Sequence, residues 1–129
     1  MNLMLKFKIN CWNRFDEKKL SKILHKNIKL ELYEINSTIV LSNRKEVLKH
    51  LKNMYDTLLS MNLYIGDFDA SDQDNILRLG IHYNDVHRND NRKIHISEDL
   101  ITEFTIDDDL ITKLKIYPKN TKYYYIDNK

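Results

Sequence analysis

Four aspartates within eight residues form the densest group of potential metal ligands in the sequence. They belong to the segment GDFDASDQDN and are Asp67, Asp69, Asp72 and Asp74. In an EF-hand loop that begins at Asp67, calcium binding needs glycine at the sixth position and glutamate at the twelfth. Asp72 and Arg78 occupy those positions. Calcium binding of this type is therefore not expected, and we interpret residues 66–75 as an acidic loop that is either solvated or binds a partner.

A second group of candidate ligands combines histidine and aspartate around a predicted hairpin. Its members are His82, Asp85, His87, Asp90 and His95. Imidazole and carboxylate groups are suitable ligands for zinc or iron, and together they form an acid/base pair. The sequence contains no HExxH motif and no two histidines one helical turn apart. A small metal-dependent or histidine-based hydrolase is therefore the alternative function, and no metal or cofactor is assigned.

Cys11 is the only cysteine. It is a nucleophile if a histidine lies beside it, or else a small apolar core residue. A single cysteine forms no intrachain disulfide, which predicts a reducing, cytoplasmic compartment.

The sequence has two glycines and no phosphate-binding or dinucleotide-binding motif, so nucleotide chemistry is disfavoured. The longest apolar runs are about four residues, far below the roughly 20 that cross a bilayer.

Charge is distributed unevenly along the chain, although its net value is only +2. Residues 1–65 carry twelve basic and six acidic residues, which gives +6. Residues 66–109 carry four and twelve, which gives −8, and residues 110–129 carry five and one, which gives +4. The middle segment predicts a negative surface that attracts a basic partner, unless folding intersperses its acids with lysines. Such a surface repels phosphate, and direct nucleic-acid binding is not expected.

Three adjacent tyrosines, Tyr123, Tyr124 and Tyr125, mark the C-terminal segment. Tyrosine is amphipathic and enriched at protein interfaces. Residues 119–129 are therefore either a binding tail or an edge strand folded against the sheet. No linker or repeat divides the chain, so residues 1–129 are predicted to form one domain.

In the first half of the chain, hydrophobic periodicity predicts strands at residues 3–10, 28–35 and 38–41, with a short helix after the cap Asp16. A long helix is predicted over residues 43–62, where Asn43 and Glu46 form a capping-box variant. Its apolar stripe includes Val47, Leu51 and Leu58. His50 is assigned to its outer, solvated face.

In the second half, strands are predicted at residues 76–83 and 93–97, followed by a short helix that Ser97 caps. A last strand over residues 110–117 is predicted to stop at Pro118. The element order favours an α+β fold: a two-layer sandwich with a mainly antiparallel sheet, one long helix and two short helices.

The segment KIHISEDLITEFTIDDDLITKLKIYP, residues 93–118, resembles the end of a family of small bacterial α+β domains of unknown function. In that family a strand leads into a short helix and then into an alternating strand that finishes in tyrosine. The segments FKIN, KILHKNI and VLKHLKNMYDTLL follow the family's order. Such domains resemble immunity proteins that accompany polymorphic toxins. The resemblance implies binding rather than catalysis and assigns no catalytic residue.

These observations predict a non-enzymatic protein-binding module, an immunity or antitoxin-like inhibitor that neutralises a nuclease-type toxin through an acidic surface. Its expected partner is a basic protein, either a cognate toxin or a host protein, because opposite charges steer association. A scaffold or phage-encoded inhibitor of a host protein would use the same surface. The predicted partner-binding residues are Asp67, Asp69, Asp72, Asp74, Asp107, Asp108, Asp109, Tyr123, Tyr124 and Tyr125.

Overall fold

A computed structural model describes residues 2–34, 36–61, 63–71, 73–86 and 92–126. The chain begins with helix α1 (Leu3–Phe7), which continues directly into a π-helical turn (Lys8–Asn13). Helix α2 (Glu17–Ile23) follows, and the Asp16 side chain caps it by accepting a hydrogen bond from the backbone N–H of Lys19 at 3.1 Å.

The prediction of a strand over residues 3–10 is wrong. The buried residues of this segment are Met4, Phe7, Lys8, Cys11 and Trp12. They recur at intervals of three and four, which is the spacing of one helix face. The alternation of Leu3, Leu5, Phe7 and Ile9 fits a strand equally well over so short a stretch, and packing against the sheet decided between the two.

Strands β1 (Leu24–Tyr33) and β2 (Thr38–Ser42) form the predicted antiparallel hairpin, with Tyr33 opposite Thr38. Helix α3 (Arg44–Ser60) also lies where the sequence predicts it. The Asn43 side chain accepts from the backbone N–H of Glu46 at 3.0 Å, as a helix cap does. Asn43 has a φ of 73° and a ψ of 150°, a strained backbone conformation that glycine mainly adopts.

Of the remaining strands, the first is not predicted from the sequence and the other three are longer than predicted. They are β3 (Tyr64–Ser71), β4 (Ile76–Val86), β5 (Lys93–Asp107) and β6 (Leu110–Ile126). The predicted loop at residues 66–75 is strand as far as Ser71. The predicted helix after Ser97 is the middle of β5, because that segment pairs with β4 on one side and β6 on the other. Pro118 does not end β6, which continues for eight residues beyond it.

The six strands form one sheet in the order β2-β1-β6-β5-β4-β3. Strands β1 and β6 are parallel, and the other neighbours are antiparallel. The α+β class is therefore confirmed, with a mixed sheet. Register shifts interrupt three of the ladders, and such bulges bend and twist a sheet.

The core lies between the helices and one face of this sheet, which we call the inner face. Phe7 of α1 contacts Phe104 of β5 edge to face, with ring centroids 5.3 Å apart. Val47 and Leu51 of α3 are fully buried in the same cluster. Within the described ranges, no helix is long and apolar enough to cross a membrane.

Candidate ligand-binding cavity

A cavity of about 620 Å³ lies between α3, the end of β1 and the inner face of the sheet. We call it the outer chamber. Helix α3 lines it with His50, Asn53, Met54, Thr57 and Leu58. The sheet contributes Ile81, Tyr83, Glu98, Leu100, Pro118 and Tyr123. Its volume is within the range of about 300–1,000 Å³ that is typical of small-molecule sites.

Glu98 is a carboxylate in an otherwise apolar row of β5. Alternate residues point to the same face of a strand, so Glu98 shares the inner face with Ile96 and Leu100, which are both buried. Its Oε2 accepts a hydrogen bond from the Thr121 hydroxyl at 3.0 Å. This contact orients the carboxylate at the wall of the outer chamber.

The register of β5 and β6 places Glu98 and Thr121 together. The regular pairs that run from Lys93–Ile126 to Ser97–Lys122 put Thr121 opposite Glu98. A β-bulge follows at once, because β6 has one residue more than β5 before the pair Asp99–Lys119. Asn120 lies in this bulge and adopts a positive φ of 55°. Bulges are common beside functional sites.

His50 lines the outer chamber from the opposite side, on α3. Its Nε2 is buried and has no hydrogen-bond partner among the described residues. The assignment of His50 to the solvated face of the helix is therefore wrong. On a helix, residues 50, 54 and 57 lie along one stripe, next to the stripe that packs in the core. This second stripe faces the outer chamber.

A smaller inner chamber of about 190 Å³ adjoins the outer one. Leu58, Ile81 and Leu100 line both chambers, so the two share a wall. The π-helical turn contributes Trp12 and Asn13 to the inner chamber. The other lining residues come from the second half of α3 and from β3 and β4.

The predicted acidic surface lies on the outer face of the sheet, away from the chambers. Arg78 forms ion pairs there with Asp67 at 2.8 Å, Asp69 at 2.8 Å and Asp99 at 2.9 Å. The Asp67 carboxylate lies against Gly80, where a Cβ would collide with it. Two of the predicted binding residues are therefore already paired within the fold, although Asp67 and Asp69 stay largely exposed.

Of the other predicted acids, Asp74 lies in a turn, Asp108 and Asp109 form another, and Asp107 ends β5. Asp74 accepts from the Ser71 hydroxyl at 3.3 Å, and Asp72 lies outside the described residues. Asp107 pairs with Leu110 across the β5–β6 turn, whose central residues are Asp108 and Asp109. Both have positive φ values, of 50° and 60°. Aspartate is one of the residues that adopt this conformation in a tight hairpin, which is a structural reason for its presence.

The three tyrosines lie in β6 and are divided between its two faces. Tyr123 lines the outer chamber, whereas Tyr124 is opposite His95 on the outer face. The Tyr125 ring lies 5.4 Å from the guanidinium of Arg92. All three rings are about half exposed. Alternation along a strand therefore separates residues that the sequence presents as one cluster.

The predicted histidine site is only partly within the described residues. His82 and His95 contact each other on the outer face, with Nδ1 and Nε2 3.3 Å apart, and His95 also contacts the Asn84 side chain at 3.0 Å. His87 and Asp90 lie outside the described ranges, as does the Asp85 side chain. Within those ranges, no group of three or more metal-binding side chains is present.

Cys11 is fully buried in the core beneath the sheet. Burial raises the pKa of its thiol well above the ordinary value, because the thiolate would lose its hydration there. A thiol that stays protonated and inaccessible is a poor nucleophile. The structure therefore supports the interpretation of Cys11 as an apolar core residue.

Glu98, His50 and Trp12 are cavity residues that the sequence did not predict. For Glu98 a signal was available, because a single acid interrupts the inward row Ile94, Ile96, Leu100. The predicted helix after Ser97 concealed that alternation. His50 and Trp12 gave no comparable signal, since their position depends on how helices distant in sequence pack on the sheet.

No protein-family model matches the sequence, and no curated protein matches it significantly. Solved structures share its fold. An NTF2-like protein from Burkholderia xenovorans LB400 has a TM-score of 0.56 and 12% identity, over 90% of this chain and 86% of its own. A protein from a study on de novo design of diverse pocket structures has a TM-score of 0.55 and 16% identity, over 91% and 95%. A candidate isomerase from Rhodopseudomonas palustris has a TM-score of 0.52 and 15% identity, over 90% and 88%.

The resemblance to immunity-type domains is wrong, because the structural similarity is to NTF2-like proteins. Every matched position belonged to the apolar pattern, and the short helix on which the match depended is part of β5. The predicted toxin inhibitor is wrong with it. The alternative hydrolase stays a prediction: His82 and His95 meet on the outer face, and the other side chains of its site lie outside the described residues. The strand order, the position of α3 over the inner face and these similarities show that the chain has an NTF2-like fold.

Proposed function

We propose that this protein binds a small, mostly apolar organic molecule in the outer chamber. The observation that carries the proposal is a cavity of about 620 Å³ whose walls are mainly apolar and which contains the oriented carboxylate of Glu98. Apolar walls supply affinity through burial of the ligand's surface. A few placed polar groups, here Glu98 and His50, supply orientation and specificity.

A neutral fluorescent probe tests this proposal without knowledge of the natural ligand. N-phenyl-1-naphthylamine gains fluorescence in an apolar site, and we expect saturable binding of one molecule per chain. The variant Thr57→Trp places a large ring on the exposed side of the chamber wall and should weaken binding at least tenfold. Thr57 is exposed, so this change leaves the core intact.

Lys49→Trp is the matched control, because Lys49 is an exposed residue of α3 that does not line either chamber. It adds the same ring to the same helix and should leave the affinity for the probe within twofold of the wild type. Absence of saturable binding to the wild type would overturn the proposal. Equal weakening by both variants would show that the probe binds elsewhere.

General-base catalysis by Glu98 is a second candidate function. The supporting observation is a carboxylate held by Thr121 in an apolar wall, where proton abstraction from carbon is less hindered by water than in solution. It would replace the expectation that the protein is not an enzyme.

The Kemp elimination of 5-nitrobenzisoxazole probes this chemistry directly. The Glu98 carboxylate would take the proton from C3, the C–H electron pair would complete a nitrile, and the N–O bond would break to release a coloured phenolate. We expect Glu98→Gln to abolish turnover above background while retaining probe binding. Glu34→Gln, at the exposed rim of the same chamber, is the control that should keep turnover. Equal rates for Glu98→Gln and the wild type would exclude this role.

A further inference from the structure

The inner chamber is large enough for a small ring or group but not for a drug-sized ligand. Its volume of about 190 Å³ is close to that of an engineered cavity of about 150 Å³ that binds benzene. Leu58, Ile81 and Leu100 line both chambers, so a ligand that extends past these residues would occupy both. The chemistry of the inner wall then determines which end of the ligand lies there.

Trp12 supplies an unpaired hydrogen-bond donor at this wall. The residue is 8% exposed, and its Nε1 is buried without a hydrogen-bond partner among the described residues. Indole nitrogen only donates, so its partner must be an acceptor. A buried donor without an acceptor is costly, and a ligand oxygen in the chamber would satisfy it once the indole turns its N–H toward that space.

Lys8 places a positive charge behind the same wall. It is 8% exposed, and its Nζ donates to the Asn13 side-chain oxygen at 3.2 Å and lies 4.2 Å from the centre of the Phe68 ring. No carboxylate in the described part of the chain lies within ion-pair distance of it. The Asn13 amide keeps two N–H donors for a ligand, and its oxygen retains one lone pair beside the hydrogen bond from Lys8.

We infer that the ligand of this cavity carries a carboxylate at its buried end, in the inner chamber, with its apolar body in the outer chamber. This inference rests on the proposed function. The indole N–H of Trp12 and the amide N–H groups of Asn13 are the available donors, and the charge of Lys8 selects an anion over a neutral oxygen. Glu98, in the outer chamber, disfavours the reverse orientation by repulsion.

Three probes of nearly equal shape separate these contributions. They are 3-phenylpropanoate, 4-phenyl-2-butanone and 3-methylbutylbenzene, which end in a carboxylate, a ketone and a hydrocarbon branch. Their affinities are measured by displacement of N-phenyl-1-naphthylamine from the wild type, from Trp12→Phe and from Lys8→Met.

Trp12→Phe removes the N–H and should weaken the carboxylate and the ketone about fivefold to tenfold, which corresponds to loss of one hydrogen bond. Lys8→Met should weaken the carboxylate at least tenfold and the ketone by less than twofold. The hydrocarbon should bind all three proteins within twofold. Its unchanged affinity also shows that each variant is folded.

Trp12 is the only tryptophan, which gives a readout that needs no substitution. In a ¹H–¹⁵N spectrum, its single indole N–H signal should move downfield with the carboxylate and the ketone but not with the hydrocarbon. If each variant weakens the three probes equally and the indole signal does not discriminate, the inference is overturned while the proposed function stands. If neither the fluorescent probe nor any of the three binds the wild type, both are overturned.

Discussion

Asp99 illustrates how individual side chains hold the outer face of the sheet. It accepts a hydrogen bond from the Asn120 amide at 3.0 Å and another from Arg78 at 2.9 Å. The pKa of the Asp99 carboxyl is lower than its ordinary value. The hydrogen bond from Asn120 is the largest cause, and the Arg78 guanidinium lowers the pKa further. Asn120 is one of the two β6 residues at the bulge and adopts a positive φ. Glu98 and Asp99 therefore take their partners from two adjacent residues of β6, on opposite faces of the sheet.

We predict that Asp99→Asn reduces the pH dependence of stability in acid. A carboxyl group whose pKa is lower in the folded state stabilises the fold above its unfolded pKa of about 3.9. That contribution decreases as the pH falls below about 4, and it is gone once the pH is below the pKa of the folded state. Asp99→Asn should therefore lower the free energy of unfolding by about 1–3 kcal/mol at pH 7 and by much less at pH 3.

Urea denaturation at the two pH values measures this difference. Asp56→Asn is the control, because the Lys52–Asp56 pair is about half exposed and such pairs contribute little. Parallel pH profiles for Asp99→Asn and the wild type would contradict the prediction.

At the scale of elements, the β5–β6 hairpin depends on its turn. Asp108 and Asp109 both have positive φ, as the central residues of a type I′ turn require. Glycine adopts this conformation without steric cost, and Asp-Gly is among the preferred pairs for such turns. This hairpin joins the two longest strands of the sheet, so its turn affects the register of both.

We predict that Asp109→Gly stabilises the protein by about 0.5–1 kcal/mol, because it removes the strain of a side chain at positive φ. Asp107→Gly is the matched control. Asp107 is in β5 and is not among the residues with positive φ, so glycine there should destabilise by about 0.5–1 kcal/mol. Thermal and urea unfolding of both variants measure the effect. A destabilised Asp109→Gly would show that the Asp109 side chain itself supports the turn.

At the scale of the whole molecule, Cys11 reports the opening of the core. It is fully buried beneath the sheet, in the same core cluster as Leu79, and Leu58 packs against this cluster. Both leucines line the inner chamber. A reagent reaches its sulfur only when that core opens. A ligand that binds the folded state alone lowers the population of open forms.

We predict that native Cys11 reacts with 5,5′-dithiobis(2-nitrobenzoate) at least about 1,000-fold more slowly than in urea, in line with the usual stability of a domain. Saturation with N-phenyl-1-naphthylamine should slow the reaction further. The variant Ser60→Cys in a Cys11→Ala background places a thiol at the exposed end of α3 and should react rapidly with or without the probe. Rapid labelling of the native wild type would contradict the buried position of Cys11.

The sequence by itself determined the features that depend on local interactions. The cap at Asn43, the apolar stripe of α3 and the β1–β2 hairpin follow from neighbouring residues, and all are present. The alternation in β4 and at the start of β6 likewise predicted strands at those positions. These elements, in this order, were enough to establish the α+β class.

Only the tertiary structure decided which residues meet in the cavity. The segment of α1 fits helix and strand patterns equally, and it is a helix in which Phe7 packs against Phe104 of the sheet. Glu98 and Thr121 are 23 residues apart and meet through the pairing of β5 with β6, whose register no local pattern reveals. Trp12, His50 and Glu98 come from three separate elements and line adjoining chambers because α3 and the π-helical turn pack on one curved sheet. Such contacts depend on long-range packing, which periodicity and composition do not encode.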